Sequence, residues 1–273
     1  MTHRSLLGIA FAVLALGLAG SALATKDIKM ATTTSTDNSG LLQYLLPKFE
    51  ADCGCKIHYT AVGTGAALKL GQNGDVDVVL VHARPAEDKF VAAGYGVNRR
   101  DVMYNDFVIV GPASDPAGVK GMHDPLAALK KIHESGALFV SRGDDSGTNK
   151  KELAYWKALG IDPKGPHYLA VGQGMGATLT LTGEKQGYTL SDRATYTTFA
   201  AKTGLHIMVE GDKKLLNPYG VIAVNPKRYP NINYDGAMKF IEWMTSPKGQ
   251  KLIGEYRFKG TQLFHPDYGH PPQ

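Results

Sequence analysis

The chain has 273 residues, of which 43% are hydrophobic and 20% are charged, and its formal net charge at pH 7 is +5. This length suits either one large domain or two smaller ones that share a cleft. The basic residues are spread along the chain and adjoin only in short pairs such as Arg99-Arg100 and Lys150-Lys151. Because nucleic-acid binding requires a concentrated basic surface, the sequence argues against a nucleic-acid partner.

Residues 1–24 are predicted to be a secretory signal peptide. His3-Arg4 forms a weak basic region, residues 6–20 are apolar, and Ala22-Leu23-Ala24 fits the small-x-small cleavage pattern. The apolar run is shorter than the roughly 20 residues that a transmembrane helix needs. We therefore expect cleavage after Ala24 and a soluble protein in the periplasm.

The two cysteines, Cys53 and Cys55, are separated by one glycine. In an oxidising compartment they could form a disulfide, although so short a ring is strained. A Cys-x-Cys metal site would need further ligands, and His58 is the only obvious neighbour. We therefore expect a local disulfide or two surface thiols rather than a metal site.

A hydroxyl-rich turn follows the first predicted strand, residues 28–32. Residues 32–36 are all Ser or Thr, and a helix with an apolar stripe follows from Leu41. A helix cap needs one such side chain, so this run exceeds what capping requires. Runs of Ser and Thr are also common in loops, so a structural interpretation stays open beside a ligand-binding one.

The alternation of strand and helix continues along the chain. A strand over 56–62 runs into Gly63-Thr64-Gly65, which lacks the spacing of a nucleotide-binding P-loop. A strand over 77–81 runs into His82-Ala83-Arg84. His82 and Arg84 could reach a cleft, but such a pair at a strand end more often braces neighbouring loops. The alternation predicts an α/β fold with a parallel sheet, helices on both of its faces, and ligand sites at the carboxyl ends of the strands.

Two predicted crossings divide the chain into lobes. The strand over 107–110 ends in a Pro- and Gly-rich stretch, and a return crossing is predicted over 211–218. We therefore expect two α/β lobes with a ligand cleft between them. Lobe I comprises residues 25–111 and 216–273, and lobe II comprises residues 112–215.

Residues 172–176 form a Gly-x-Gly-x-Gly run after another predicted strand. Its third glycine comes one residue too early for a dinucleotide-binding fingerprint, and the strand before it is not the first of the fold. No cofactor is therefore predicted.

The turn over 141–148, Ser-Arg-Gly-Asp-Asp-Ser-Gly-Thr, lies between a short apolar run and a helix predicted from Asn149. The first N–H groups of a helix lack internal partners and carry partial positive charge, so small residues and an arginine here form a candidate anion site. Alternatively, Asp145 or Ser146 only caps the helix. A further hydroxyl-bearing turn, which contains Thr195, follows a later strand.

Five short segments carry a family resemblance: residues 31–35, 61–65, 81–90, 141–148 and 172–175. Together and in this order they resemble the tungstate-binding periplasmic proteins of ABC importers, the TupA type. The resemblance covers nearly the whole mature chain. It implies a type II periplasmic-binding-protein fold, an oxyanion ligand and a membrane permease as partner. In that family a threonine/serine turn of the first lobe and an arginine of the second hold the anion, and on this chain these are Thr33, Thr34, Ser35 and Arg142.

We therefore predict that the protein captures tungstate, with molybdate as the nearest competitor, and delivers it as a monomer to the permease of an ABC importer. Tungstate is a tetrahedral dianion without a proton at neutral pH, so a selective site needs many hydrogen-bond donors and no carboxylate that faces the ligand. Neither catalytic residues nor metal ligands are expected. The predicted ligand-binding residues are Thr33, Thr34, Ser35, Thr64, Gly65, Arg142, Ser146, Gly147, Thr148 and Thr195.

Two alternatives remain. A phosphate-binding protein of the same fold would use Asp144 or Asp145 to accept the proton of hydrogen phosphate, unless these aspartates cap the helix or pair with Arg142. A secreted hydrolase is disfavoured, because the sequence has no His-Glu-x-x-His motif, no Gly-x-Ser-x-Gly elbow and no evident base for Ser146.

Overall fold

The structure, a computed structural model, describes residues 27–258 and 260–269. The predicted signal peptide lies outside these residues. No helix within them combines the length and the apolar character needed to cross a membrane.

Strands and helices alternate through most of the described chain. The strands are β1 (Ile28–Thr33), β2 (Ile57–Val62), β3 (Val78–Val81), β4 (Gly96–Gly111), β5 (Phe139–Ser141), β6 (Tyr168–Ala170), β7 (Thr189–Asp192), β8 (His206–Val209), β9 (Leu216–Val224), β10 (Arg257–Phe258), β11 (Thr261–Gln262) and β12 (His265–Pro266). The α-helices are α1 (Thr34–Asn38), α2 (Leu41–Cys53), α3 (Thr64–Asn73), α4 (Arg84–Ala92), α5 (Pro125–Ser135), α6 (Gly147–Ala158), α7 (Met175–Glu184), α8 (Arg193–Thr203), α9 (Tyr234–Met244) and α10 (Pro247–Glu255).

The main sheet has the strand order β12-β4-β9-β3-β1-β2, and β7 and β8 pair with β4 beyond this path. β1 is parallel to β2 and β3, whereas β9 is antiparallel to both β3 and β4. The prediction of a parallel sheet was therefore wrong for β7, β8 and β12, which are antiparallel to β4, and for β9. For β9 the physical reason is connectivity, because β4 carries the chain out of the first lobe and β9 carries it back, so the two strands must run in opposite directions.

The strand β4 belongs to the sheets of both halves of the molecule. It pairs with β9 from Gly96 to Asp106, and then with β7 from Phe107, opposite Asp192, to Val110. The sequence predicted only the apolar end of this strand, because the preceding residues are mostly polar and half-buried. The predicted lobe boundaries, residues 111/112 and 215/216, stay a prediction.

Alternate residues of the buried strands enter cores on opposite faces of the sheet. In β3, Val78 and Leu80 pack with the first core, and Val79 and Val81 pack with the second. Helices α2, α9 and α10 cover the first face, and α3 and α4 cover the second. A strand that is apolar at successive positions, unlike an alternating one, can be buried in this way on both faces.

The second half repeats this arrangement around the end of β4. Phe107 and Ile109 pack with residues of α5 and α6, and Val108 and Val110 pack with residues of α7 and α8. The prediction of two α/β units is thus matched by separate cores, joined through the long strands β4 and β9.

The cysteines lie at the end of α2, where they form a disulfide. Gly54 between them ends the helix with a left-handed φ of 62°. Glycine adopts this conformation without steric cost, which allows the chain to turn back immediately after the helix.

Candidate anion-binding site

Strand ends and helix starts from both halves converge at one place. α1 begins directly after β1, α8 directly after β7, and α3 one residue after β2. α6 follows β5 through the turn over 142–146, and α7 follows β6. The first N–H groups of a helix have no partners within the helix and carry partial positive charge, so the starts of these helices give the region a positive potential.

Arg142, on the turn after β5, connects the two halves. Its side chain is 2% exposed, and its Nη1 donates a hydrogen bond to Ser35 Oγ at 3.0 Å. Its Nη2 approaches Thr34 Oγ1 at 3.4 Å. The predicted arginine and two residues of the predicted threonine/serine turn, which are more than 100 positions apart in sequence, are therefore in direct contact.

Thr33 occupies the N-cap of α1 and is surrounded by protein groups. Its hydroxyl accepts a hydrogen bond from the Thr36 N–H at 3.2 Å and lies 2.7 Å from Thr36 Oγ1. It also lies 3.0 Å from His82 Nε2. Thr33 thus belongs to the same turn as Thr34 and Ser35, but its hydroxyl contacts Thr36 and His82.

Two further predicted residues, one from each half, also make contacts between the halves. Thr64 Oγ1 accepts a hydrogen bond from the Gly147 N–H at 3.0 Å. Thr195, at the start of α8, donates through its hydroxyl to the Ser35 carbonyl at 3.3 Å. These contacts place the starts of α1, α3, α6 and α8 around one buried region.

Close approach at the cleft depends on glycines. An added Cβ on Gly147 would lie 2.9 Å from the His82 carbonyl oxygen, and one on Gly65 would overlap the Asp145 carboxylate. The carbonyl belongs to the backbone and cannot move aside as easily as an exposed side chain. Gly147 is therefore the residue whose lack of a side chain most directly permits this contact between the two halves.

Two buried polar atoms of the predicted site have no hydrogen-bond partner among the described residues. They are Arg142 Nε and Thr148 Oγ1. Ser146 differs, because its hydroxyl caps α6 by accepting from the Asn149 N–H at 3.1 Å. A buried donor without a partner is costly, so these two atoms are candidates for contact with a ligand.

Both aspartates of the turn over 141–148 are paired with cations. Asp144 Oδ2 accepts from Arg142 Nη2 at 2.5 Å, and its Oδ1 accepts from the Ser146 N–H at 3.2 Å. Asp145, which has a left-handed φ of 58°, forms an ion pair with Lys150. The structure thus favours the interpretation in which these aspartates brace the turn and Arg142, over the one in which they accept a proton from hydrogen phosphate.

Asp192 and the start of α7 also lie at the site, although neither was among the predicted binding residues. Asp192 Oδ1 caps α8 through the Thr195 N–H at 2.8 Å, and burial raises the pKa of this carboxyl. The signal was present, since aspartate before a helix is a common N-cap. At α7, Gly174 approaches Thr34, with an added Cβ only 3.4 Å from its hydroxyl. A glycine run without side-chain chemistry gave no comparable indication.

His82 lies behind the turn of α1 and is 4% exposed. Its Nδ1 lies 3.1 Å from Asn217 Oδ1. Burial, with a smaller contribution from the charge of Arg142, lowers the pKa of His82 from 6.5 to about 4. The ring is therefore uncharged at neutral pH. Among the described residues, no group of His, Cys, Asp and Glu side chains is arranged to hold a metal ion.

Lowering the pH should reduce the free energy of unfolding, because His82 is buried as an uncharged ring. Between pH 6.5 and about 4 the unfolded chain binds a proton at His82 that the folded protein excludes, so stability falls as the pH is lowered. We expect His82 to account for a loss of about 3 kcal/mol in the free energy of unfolding across this range. Urea unfolding of the ligand-free protein and of His82→Gln as a function of pH measures the difference. Identical pH dependences would show that another group is responsible.

Comparison with known proteins supports the family resemblance. The model of the PBP superfamily domain matches residues 19–248. The tungstate-binding protein TupA of Peptoclostridium acidaminophilum is 50% identical over 282 aligned positions, which cover 97% of this chain and 99% of that protein.

Two solved structures are also similar. A crystal structure of the tungstate ABC transporter from Geobacter sulfurreducens is 57% identical and has a TM-score of 0.79, covering 85% of this chain and all of that one. The tungstate-binding protein TupA of Desulfovibrio alaskensis G20 is 51% identical and has a TM-score of 0.74, covering 89% and 99% of the two chains. The expected α/β periplasmic-binding-protein fold is confirmed. The chain belongs to the PBP superfamily and, within it, to the family of the tungstate-binding proteins TupA.

Proposed function

We propose that the protein captures tungstate in the periplasm and delivers it, as a monomer, to the membrane permease of an ABC importer. The observation that carries this proposal is the buried arginine at the cleft. Arg142 touches Ser35 and Thr34 of the opposing turn and keeps a buried Nε without a partner among the described residues. The names of the similar proteins support tungstate as the anion.

The chemistry of the lining residues fits a fully deprotonated tetrahedral anion. Hydrogen bonds from Arg142 to an ion contribute about 1.5–3 kcal/mol each. Thr34, Ser35 and Thr148 add hydroxyl donors, and the helix starts add about 0.3–1 kcal/mol each. The proposed direct ligands are therefore Arg142 and these three hydroxyls.

The other predicted site residues support the proposed direct ligands through contacts with the protein. We propose that they fix the positions of these ligands, because their hydroxyl or N–H groups already bond to the protein or because they permit close approach of the two halves. These residues are Thr33, Thr64, Gly65, Ser146, Gly147 and Thr195.

Molybdate is the nearest competitor, because its charge and shape match those of tungstate. Release to the permease would follow separation of the lobes about β4 and β9, which breaks contacts such as the one between Arg142 and Ser35. A binding protein needs no chemical step, and in the proposed mechanism no residue acts as a nucleophile or base.

A ligand panel tests this function. We expect tungstate and molybdate, but neither sulfate nor phosphate, to raise the melting temperature of the mature chain. A ligand at 100 times its dissociation constant stabilises a protein by about 2.7 kcal/mol, which thermal unfolding resolves easily. Phosphate binding would require a carboxylate to accept a proton, and Asp144 and Asp145 are both paired with cations. Stabilisation by phosphate and not by tungstate would overturn the proposal.

A further inference from the structure

The buried imidazole of His82 connects two parts of the molecule. The residues proposed to bind the anion directly do not account for this connection. His82 follows β3, and each ring nitrogen lies within hydrogen-bonding distance of a polar side-chain atom: Thr33 Oγ1 at Nε2 and Asn217 Oδ1 at Nδ1. Its ring also stacks on Tyr219, with the centroids 4.7 Å apart. A side chain held on both nitrogens and one face has a fixed orientation.

The direction of each hydrogen bond follows from Asn217. The Nδ2 of Asn217 donates to Asn105 Oδ1 at 2.7 Å, so the atom that faces His82 is its carbonyl oxygen, an acceptor. His82 must therefore carry its proton on Nδ1, and Nε2 must accept from the Thr33 hydroxyl. The Thr33 oxygen is then left to accept from Thr36. The donor and the acceptor of each hydrogen bond between α1 and His82 are thereby assigned.

The asparagines stand where the two lobes are joined. Asn105 of β4 and Asn217 of β9 are directly opposite each other in the ladder, and both are buried. At the other end of the chain of hydrogen bonds, Thr33 and Thr36 bracket the residues Thr34 and Ser35 that meet Arg142. A continuous set of hydrogen bonds thus runs from the strands that link the lobes to the turn that meets the arginine.

His82 also touches the second half directly. Gly147 lies against it, so that an added Cβ would be 2.9 Å from the His82 carbonyl oxygen and 3.1 Å from Nδ1. His82 therefore contacts the linking strands, the α1 turn and the start of α6.

We propose that His82 is a positioning residue of the anion site. In its Nδ1-protonated form it holds the Thr33 cap, and with it Thr34 and Ser35, in a fixed relation to the strands that join the lobes. This inference rests on the proposed anion-binding function and assigns His82 no contact with the anion itself. The two ring nitrogens must act together, since one bond without the other would leave the turn and the strands unconnected.

Two conservative variants separate the two bonds. His82→Asn places an amide where Nδ1 lies and loses the contact with Thr33, whereas His82→Gln reaches Thr33 and loses the contact with Asn217. We expect each variant to weaken tungstate binding by about tenfold in calorimetric titration, the effect of one broken buried hydrogen bond. His58→Gln, at an exposed histidine paired with Asp27, is the matched control and should bind as the wild type does. Wild-type affinity in either His82 variant overturns the proposal.

A spectroscopic measurement on the wild-type protein keeps the test decisive if a variant fails to fold. Long-range 15N–1H correlation of the histidine rings should show His82 protonated on Nδ1 and unprotonated on Nε2, both with and without tungstate. A proton on Nε2, or a charged ring at neutral pH, contradicts the proposal. Failure of the wild type to bind tungstate would instead contradict the proposed function, and the ring spectrum would still test the hydrogen-bond chain separately.

Discussion

Replacing Arg142 with alanine is expected to weaken tungstate binding by about a hundredfold or more, because at least two charge-assisted hydrogen bonds of about 1.5–3 kcal/mol each are lost. The loss includes the guanidinium Nε, which has no protein partner among the described residues. The thermal shift that tungstate produces in the wild type should disappear, and titration calorimetry should give the change in affinity. The affinity of Arg142→Lys for tungstate should lie between those of the wild type and Arg142→Ala, because an ammonium keeps the charge but not the planar fork of donors.

The ligand-free Arg142→Ala protein should keep its fold. Its partner Asp144 retains the Ser146 N–H and is partly exposed, so it is not left as an isolated buried charge. Arg228→Ala removes the same charge at an exposed position and is the matched control. An unchanged tungstate shift in Arg142→Ala, beside an unchanged one in Arg228→Ala, would mean that Arg142 only braces its turn.

Replacing Glu152 with leucine should destabilise the protein by about 4 kcal/mol, because buried donors lose their acceptor. Glu152 is 2% exposed, and its carboxylate accepts from Ser141, Asn149, Trp156 and Tyr168. Burial raises the pKa of Glu152, so leucine also relieves an unfavourable buried charge. The net loss of stability is therefore smaller than the summed cost of leaving four donors unsatisfied. Urea unfolding measures it.

Glu134→Gln is the control for this prediction. Glu134 is an exposed acid on α5 that forms an ion pair with Lys130, and both side chains are 61% exposed. Exposed pairs of this kind contribute about 0–1 kcal/mol, so the substitution should change stability little. If Glu152→Leu were as stable as Glu134→Gln, the hydrogen bonds to the Glu152 carboxylate would contribute nothing to the net stability. The orientation of Ser141 beside Arg142 would then have to come from packing alone.

Much of the fold and part of the site could be predicted from local sequence. The apolar run at 78–81 and the helical stripe from Leu41 both lie where the pattern placed them. Hydroxyl-rich segments at the start of α1 and before α6 indicated the two facing parts of the site, because strand ends and helix starts have chemical signatures within a few residues. The family resemblance then singled out Arg142 and the turn over 33–35.

Other features depended on residues distant in sequence. The polar first half of β4 gave no clear strand signal, since its pairing with β9 rather than local propensity makes it a strand. The sequence could not decide whether His82 reaches the cleft or braces neighbouring loops, because its partners Thr33 and Asn217 lie 49 and 135 positions away.

The sequence by itself determined that this is an α/β protein with an arginine and two hydroxyl-rich turns suited to an anion. Only the tertiary structure decided which hydroxyls face Arg142, that Asp144 and Asp145 pair with cations, and that β9 runs against its neighbours. The reason is physical: helix caps and apolar runs act over one or two turns of chain, whereas the pairing of a buried charge or ring nitrogen is settled by the groups that the fold brings within about 3 Å of it.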